Sequence, residues 1–260
     1  MQLQALQQQE WMYRQPSYPL SNPRITGRTI QLPAIRGSQR VFIVGKTRSG
    51  KSTMARYLLK EVVKAGGRVF IIDPKKDWQG RPPHRTPYGI PSSDFRGSVD
   101  QPILTSRFNP DYRVSIYEPA EWDKNMDNIM LEAIKTGYTT IYIDEIKQLV
   151  PATYAPKNLQ IAYTQGAAAG VGVWGGVQRP KGIPEIMKDQ AEVWIVFRVK
   201  KREDRMDIGT YICEDNMTHQ LPPILRMPLQ YRWFIFYEDS MLAPVLCMPL
   251  TLDKGGNIVK

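Results

Sequence analysis

The chain has 260 residues, 42% of them apolar, with 35 Lys and Arg against 25 Asp and Glu for a formal charge of +10. That length suits one large α/β domain or two small ones around an ordinary packed core, and the positive balance points to a polyanionic partner, nucleic acid ahead of an acidic membrane surface, or else only to solubility. Two cysteines (Cys213, Cys247) and two histidines (His84, His219) lie in unrelated contexts, which excludes a disulfide framework and a zinc-ligand cluster and favours a reducing, intracellular compartment.

Residues 1–38 are rich in Gln, Pro and Arg and show no sustained helical or strand period. They read as an extended arm, either a disordered tail or a wrap around a neighbouring subunit or DNA, with Trp11, Tyr13 and Tyr18 as docking anchors. The start of the chain lacks the apolar core of a secretion signal, and no apolar run approaches the ~18 residues of a membrane span, so a soluble, cytoplasmic protein is expected.

Regular patterning begins at "RVFIVG" (40–45), a buried strand ending in glycine. Residues 51–66 carry apolar positions at helical spacing and stop at Gly66-Gly67. "RVFIID" (68–73) is a second strand, and 74–102 is a Pro- and Gly-rich loop. A strand over 112–119, an amphipathic helix over 120–137 and a strand over 139–146 follow. Then come a helix over 156–170, a strand over 171–180, a short helix over 184–190 and a strand over 191–199. Strands alternating with helices predict an α/β fold with a mainly parallel sheet covered on both faces. Aromatic alternation in "LQYRWFIFYED" and the later "APVLCMPLTLD" predict a β-hairpin turning near Asp239-Ser240. The expected organisation is an arm (1–38), a core (39–209) and a β-rich extension packed on that core (210–260).

The stretch "GKTRSGKS" between the first strand and the first helix has the pattern Gly-x4-Gly-Lys-Ser. Such a loop wraps phosphate with backbone N–H groups while the helix turns its positive end to the same charge. Gly45 and Gly50 permit the turn, Lys46, Thr47, Arg48 and Ser49 form its span, and Thr53 follows on the helix. Lys51 should reach the β- and γ-phosphates of ATP, and Ser52 should give its hydroxyl to Mg²⁺. In "TIYIDEI" an apolar strand ends in Asp144, which fits the carboxylate of the Mg²⁺ shell. Glu145 follows where a carboxylate can deprotonate a water attacking the γ-phosphate. A small-molecule kinase must keep water out, so this base argues for hydrolysis. Gln178 ends the strand of "GVWGGVQRP", where it can touch both the γ-phosphate and that water, or merely solvate a loop.

Together these elements resemble the FtsK-HerA superfamily of P-loop motors over residues 40–208. "FIIDPKKDW" is similar to the strand of that superfamily that ends in Asp-Pro, which brings Asp73 near the nucleotide. "GVQRP" is similar to its sensor strand, and "VFRVKKREDRMDI" to a segment with a downstream Arg. The resemblance implies a RecA-like (ASCE) P-loop ATPase core working as a homo-oligomeric ring, commonly a hexamer, that translocates double-stranded DNA. It also implies an Arg supplied to the neighbour's site, with Arg205 and then Arg198 as candidates, acting on the transferring phosphoryl group. Many relatives carry an Arg in a segment that here reads "QGAAAGVG", with Ala167 in its place. The sequence shows no counterpart of the HerA barrel, the FtsK membrane segments or the FtsK winged helix. That economy resembles the genome-packaging ATPases of membrane-containing viruses, which implies a place in the host cytoplasm or at a virion vertex.

The DNA channel of such a ring would be lined by basic loops that contact phosphates. Lys75, Lys76, Arg81 and Arg85 form one basic loop, and Lys147, Lys157, Arg179 and Lys181 flank others, although each alone reads more readily as solvated surface than as a DNA contact. Three functions remain open: a packaging motor, a motor of the same superfamily in conjugation, segregation or end-processing, and a P-loop kinase or nucleotide switch. The 210–260 hairpin could cover the core edge, build the ring contact, or bind a capsid or membrane portal protein.

Overall fold

The computed structural model describes residues 34–78, 96–150, 153–213, 223–226, 229 and 232–249. The arm anchors Trp11, Tyr13 and Tyr18, both histidines, and Arg81 and Arg85 lie outside them.

Nine described strands form one sheet. They are β1 (Val41–Val44), β2 (Arg68–Ile72), β3 (Ile103–Leu104), β4 (Val114–Tyr117), β5 (Thr139–Ile143), β6 (Gly172–Val177), β7 (Val193–Val196), β8 (Phe234–Glu238) and β9 (Val245–Cys247). Their order is β3-β4-β2-β5-β6-β1-β7-β8-β9. The strands from β3 to β7 pair in parallel, and the last two add antiparallel at the β7 edge. The helices are α1 (Lys51–Lys64), α2 (Lys124–Thr136), α3 (Ile146–Leu149), α4 (Lys157–Gln165), α5 (Glu185–Asp189), α6 (Arg202–Ile212) and α7 (Pro223–Arg226). None of these is long and apolar enough to cross a membrane.

Side chains alternate faces along a strand, so each central strand feeds two apolar layers. Val41, Ile43, Val69, Ile71 and Trp174 face α1, which contributes Met54, Ala55, Leu58, Leu59 and Val62. Phe42, Val44, Phe70, Ile72 and Val173 face α2, α4 and α6, which contribute Met126, Ile129, Leu159, Tyr163 and Ile208. The spacing in α1 gives one apolar stripe, and Gly66 at φ 93 stops the helix in the left-handed region. Asp123 starts α2 by accepting the Met126 N–H at 2.9 Å, so that helix begins later than the 120 expected from periodicity.

Other boundaries shift for local reasons. The strand expected over 139–146 stops at Ile143, because Glu145 turns the backbone left-handed and Ile146 opens α3. The helix expected over 156–170 is α-helical only to Gln165, with a 3₁₀ turn over Gly166–Ala169. Neither β3 nor α6 stands out from the pattern. The charges of α6 are instead matched by basic residues of the β6–α5 region: Arg179 to Asp204 (3.1 Å), Lys181 to Glu203 (3.2 Å) and Lys188 to Asp207 (2.7 Å). The predicted hairpin forms as β8 and β9.

The connection β1–α1–β2 passes over β6 and β5. The C-terminal ends of β1, β6 and β5 therefore stand side by side, where ligands of open α/β sheets bind. Gly172 lets β6 lie against the chain entering β1, since a Cβ there would sit 2.1 Å from the Gly37 carbonyl oxygen and 2.5 Å from that of Gln39. Gly172→Ala should cost about 1–3 kcal/mol, the usual range for overpacking. Urea unfolding reads this as a lower midpoint; an unchanged midpoint would mean that residues 37–39 yield freely.

Candidate nucleotide-binding and catalytic site

The P-loop is tied to its neighbours on the sheet. Gly45 N–H donates to the Val177 carbonyl at 2.9 Å and Lys46 N–H to the Arg198 carbonyl at 3.4 Å. Gly45 packs on Phe197, where a Cβ would fall 2.7 Å from the Phe197 Cβ. Arg48 (φ 63) and Gly50 (φ 108) reverse the chain. No side chain caps the first turn of α1, so its N–H groups and dipole face the space over the loop.

That space is a cleft lined from the loop by Lys46, Thr47, Arg48 and Gly50, and from α1 by Lys51, Ser52 and Thr53. Lys75, Asp77, Asp144 and Gln178 close it from across. Two expected loop contacts differ. Gly45 lies under the loop, and Ser49 is buried rather than lining the cleft.

Asp144 is buried, and its Oδ1 lies 2.7 Å from Lys51 Nζ and accepts the Tyr142 hydroxyl at 2.9 Å. Burial pushes the Asp144 carboxyl up, but Lys51, the Tyr142 hydrogen bond and the charge of Lys75 outweigh it and hold it below the usual carboxylate range. Burial, followed by the charge and hydrogen bond of Asp144, keeps Tyr142 protonated and therefore a donor. Gly176 makes room for both groups: a Cβ there would meet the Tyr142 hydroxyl at 2.5 Å and Asp144 Oδ1 at 2.8 Å.

Glu145 follows in left-handed backbone (φ 52, ψ 54), an unfavourable conformation for a residue with a Cβ and one that concentrates at functional sites. Its Oε2 lies 2.9 Å from Lys75 Nζ, and its Oε1 accepts the Gln178 N–H at 3.3 Å. Gln178 is the first residue beyond β6 rather than its last. Lys51, Asp144 and Gln178, drawn from three strand ends, thus meet at the cleft, while Glu145 does not line it and joins it through Lys75 and Gln178.

Asp73 behaves differently from expectation. It is fully buried and lines no part of the cleft; its two oxygens accept the Lys75 N–H (3.1 Å) and the Trp78 N–H (2.7 Å). Burial raises its pKa above the usual range, partly offset by those N–H groups. Arg198 and Arg205 also stand apart from this chain's cleft. They line a cavity beyond β7 with Val196, Phe197 and Ile224, where Arg205 donates to the Leu225 carbonyl at 3.0 Å. Sequence reasoning missed Tyr142, although its position two residues before Asp144 on a strand puts both on one face. It also read Lys75 only as part of a basic loop. Lys147, Arg179 and Lys181 are held by in-chain partners, while Lys76 and Lys157 are exposed.

Ser52 and Asp144 offer hard oxygen donors on one cleft, the kind of small protein contribution Mg²⁺ takes beside phosphates. No larger cluster of metal-binding side chains occurs among the described residues.

Residues 37–169, half of the chain, match the family profile described as "Helicase HerA, central domain". The chain belongs to this family. Solved structures agree in fold. The genome-packaging NTPase B204 of Sulfolobus turreted icosahedral virus 2, in complex with AMPPCP, is 18% identical over 83% of this chain and 100% of its own, with a TM-score of 0.59. VirB4 of Thermoanaerobacter pseudethanolicus is 10% identical over 92% of this chain and 97% of its own, with a TM-score of 0.60. The pCW3 conjugation coupling protein TcpA, in monomer form with ATPγS, is 15% identical over 87% of this chain but 64% of its own, with a TM-score of 0.55. No curated protein gives a significant match. The fold is thus that of P-loop NTPases of the FtsK-HerA group.

Tyr142→Phe should cost about 1.5–3 kcal/mol, as for a hydrogen bond to a charged group. Urea unfolding would show this; a wild-type midpoint would mean that Lys51 alone holds Asp144.

Proposed function

We propose that this protein is an ATP-hydrolysing motor that moves double-stranded DNA, and that its role is genome packaging. The observation that carries the hydrolysis is Glu145, which follows Asp144 in the chain and is held by Lys75 and Gln178, two residues that line the P-loop cleft. The formal charge of +10 and the likeness in fold to B204, a genome-packaging NTPase, support the DNA substrate and the packaging role. TcpA, a conjugation coupling protein, supports a second reading as a conjugative motor. The carboxylate pair weighs against a kinase, which must exclude water from the γ-phosphate.

Each residue then has a task. The loop N–H groups and the α1 dipole bind the phosphates, and Lys51 exchanges Asp144 for the β- and γ-phosphates. Ser52 and Asp144 would hold Mg²⁺, which neutralises charge developing on the phosphates. Glu145 takes the proton of the attacking water, and Gln178 orients that water. Arg205, or failing it Arg198, reaches the site of a neighbouring subunit in a homo-oligomeric ring, a hexamer in this reading. Their position away from their own cleft supports that assignment. Residues 1–38 and 210–260 are read as an arm and an extension flanking the core. The extension is available to a capsid or membrane portal protein, at a virion vertex or in the host cytoplasm.

In steady-state ATPase assays, wild-type turnover should rise with added double-stranded DNA. Lys51→Ala should abolish turnover, and Glu145→Gln should lower kcat by about 10²–10⁴-fold while nucleotide still binds. Full-rate hydrolysis by Glu145→Gln would remove Glu145 as the base.

A further inference from the structure

Lys75 has no task in the proposed hydrolysis, yet the loop after β2 holds its backbone in place. Asp73 accepts the Lys75 N–H on one oxygen and the Trp78 N–H on the other. The Lys76 N–H closes the turn on the Asp73 carbonyl at 3.3 Å. Trp78 anchors the far end: it is buried, its indole N–H donates to the Val99 carbonyl at 2.9 Å, and its ring lies 5.3 Å from that of Tyr142. The Arg56 guanidinium covers that ring at 4.3 Å. The Asp-Pro segment thus holds a hydrogen-bonded turn that sends two side chains to the cleft, Lys75 and Asp77, of which Lys75 is the cation.

The Lys75 ammonium sits between two anionic positions. In the structure it lies 2.9 Å from Glu145 Oε2. It also lines the phosphate cleft with Lys51, Ser52 and Gln178. Its side chain is 31% exposed against 12% for Glu145, so the lysine has room to turn while the glutamate does not. A pair open to solvent on its lysine side is screened, and a phosphoryl group carrying more charge competes with it for the ammonium. While the pair lasts, Glu145 has one oxygen on an ammonium and the other on the Gln178 N–H, so each oxygen already has one of its lone pairs engaged and competes less well for a water proton.

We propose that Lys75 is a second triphosphate-sensing lysine, which leaves Glu145 for the γ-phosphate when ATP occupies the cleft and thereby frees the base. The inference rests on the ATPase reading and adds to it a reason for hydrolysis to start only on a complete triphosphate. With Lys75 on the γ-phosphate, Glu145 Oε2 accepts a proton from water. The water oxygen bonds to the γ-phosphorus as the bond from that phosphorus to the β–γ bridging oxygen breaks. The products are ADP and inorganic phosphate. ADP has no γ-phosphate to hold Lys75, which then returns to Glu145.

The test uses the full chain with Mg²⁺ and measures the dissociation constants of ATPγS and ADP by calorimetry for wild type, Lys75→Ala, Lys75→Arg and Lys51→Ala. Lys75→Ala should lose about tenfold or more of the preference for ATPγS over ADP, the share of one charge-assisted hydrogen bond. Its ADP affinity should stay at the wild-type value, which also reports an intact fold. Its kcat should fall, Lys75→Arg should restore most of the preference, and Lys51→Ala should weaken both nucleotides. An unchanged ATPγS-to-ADP ratio in Lys75→Ala overturns the assignment. With faster basal turnover it would make Lys75 a simple brake, and with loss of DNA stimulation alone it would make Lys75 a DNA contact. A wild-type chain that binds neither nucleotide overturns the ATPase reading itself. Wild-type hydrolysis beside an unchanged ratio overturns only the role of Lys75.

Discussion

A carboxylate buried at the end of a central strand needs hydrogen-bond donors or a cation beside it, and Asp144 has the Lys51 ammonium at 2.7 Å. Much of the site follows from that pair. Lys51 can reach Asp144 only if β1 and β5 are close, with β6 between them, as the sheet order has it. The P-loop must fold back over Phe197 to aim Lys51, which needs Gly45 and a left-handed Gly50. Tyr142 adds a second donor to the same oxygen, and it fits only because position 176 has no side chain. A triphosphate that takes Lys51 from Asp144 leaves that carboxylate needing a new cation, the position the proposed Mg²⁺ would fill.

The next ring of interactions ties the site to the rest of the molecule. Gln178 N–H holds Glu145, and the adjacent Arg179 is paired with Asp204, which is buried in α6. Lys181 and Lys188 add two further pairs to the same helix. Arg205 follows Asp204 directly on α6 and faces the cavity beyond β7. A shift of the β6 tip on nucleotide exchange therefore has a short physical route to α6. In a ring, that is the helix that would carry Arg205 to a neighbour.

Much of this was legible in the sequence because it follows from local rules. Continuous apolar runs marked β1, β2, β5, β6 and β7, the Gly-x4-Gly-Lys-Ser pattern marked the loop, and Asp144 marked the opposite wall. The hairpin of β8 and β9 was legible from aromatic alternation. What was not legible depends on tertiary partners. The helix α6 has no clean apolar stripe, and its acidic residues are matched by lysines and an arginine of the β6–α5 region. Asp73 reads as a cleft residue by its place after β2, but its oxygens serve the Lys75 and Trp78 amides. The pairing of Lys75 with Glu145 spans 70 residues and has no sequence period to betray it.

The central claim is that ATP hydrolysis at this site drives movement along double-stranded DNA. Displacement of a triplex-forming oligonucleotide from linear duplex DNA tests it most directly, because only a protein that travels along the duplex removes the third strand. The account predicts ATP-dependent displacement by the wild-type chain and none by Glu145→Gln. Robust ATP hydrolysis in the presence of duplex DNA with no displacement of the third strand would contradict it.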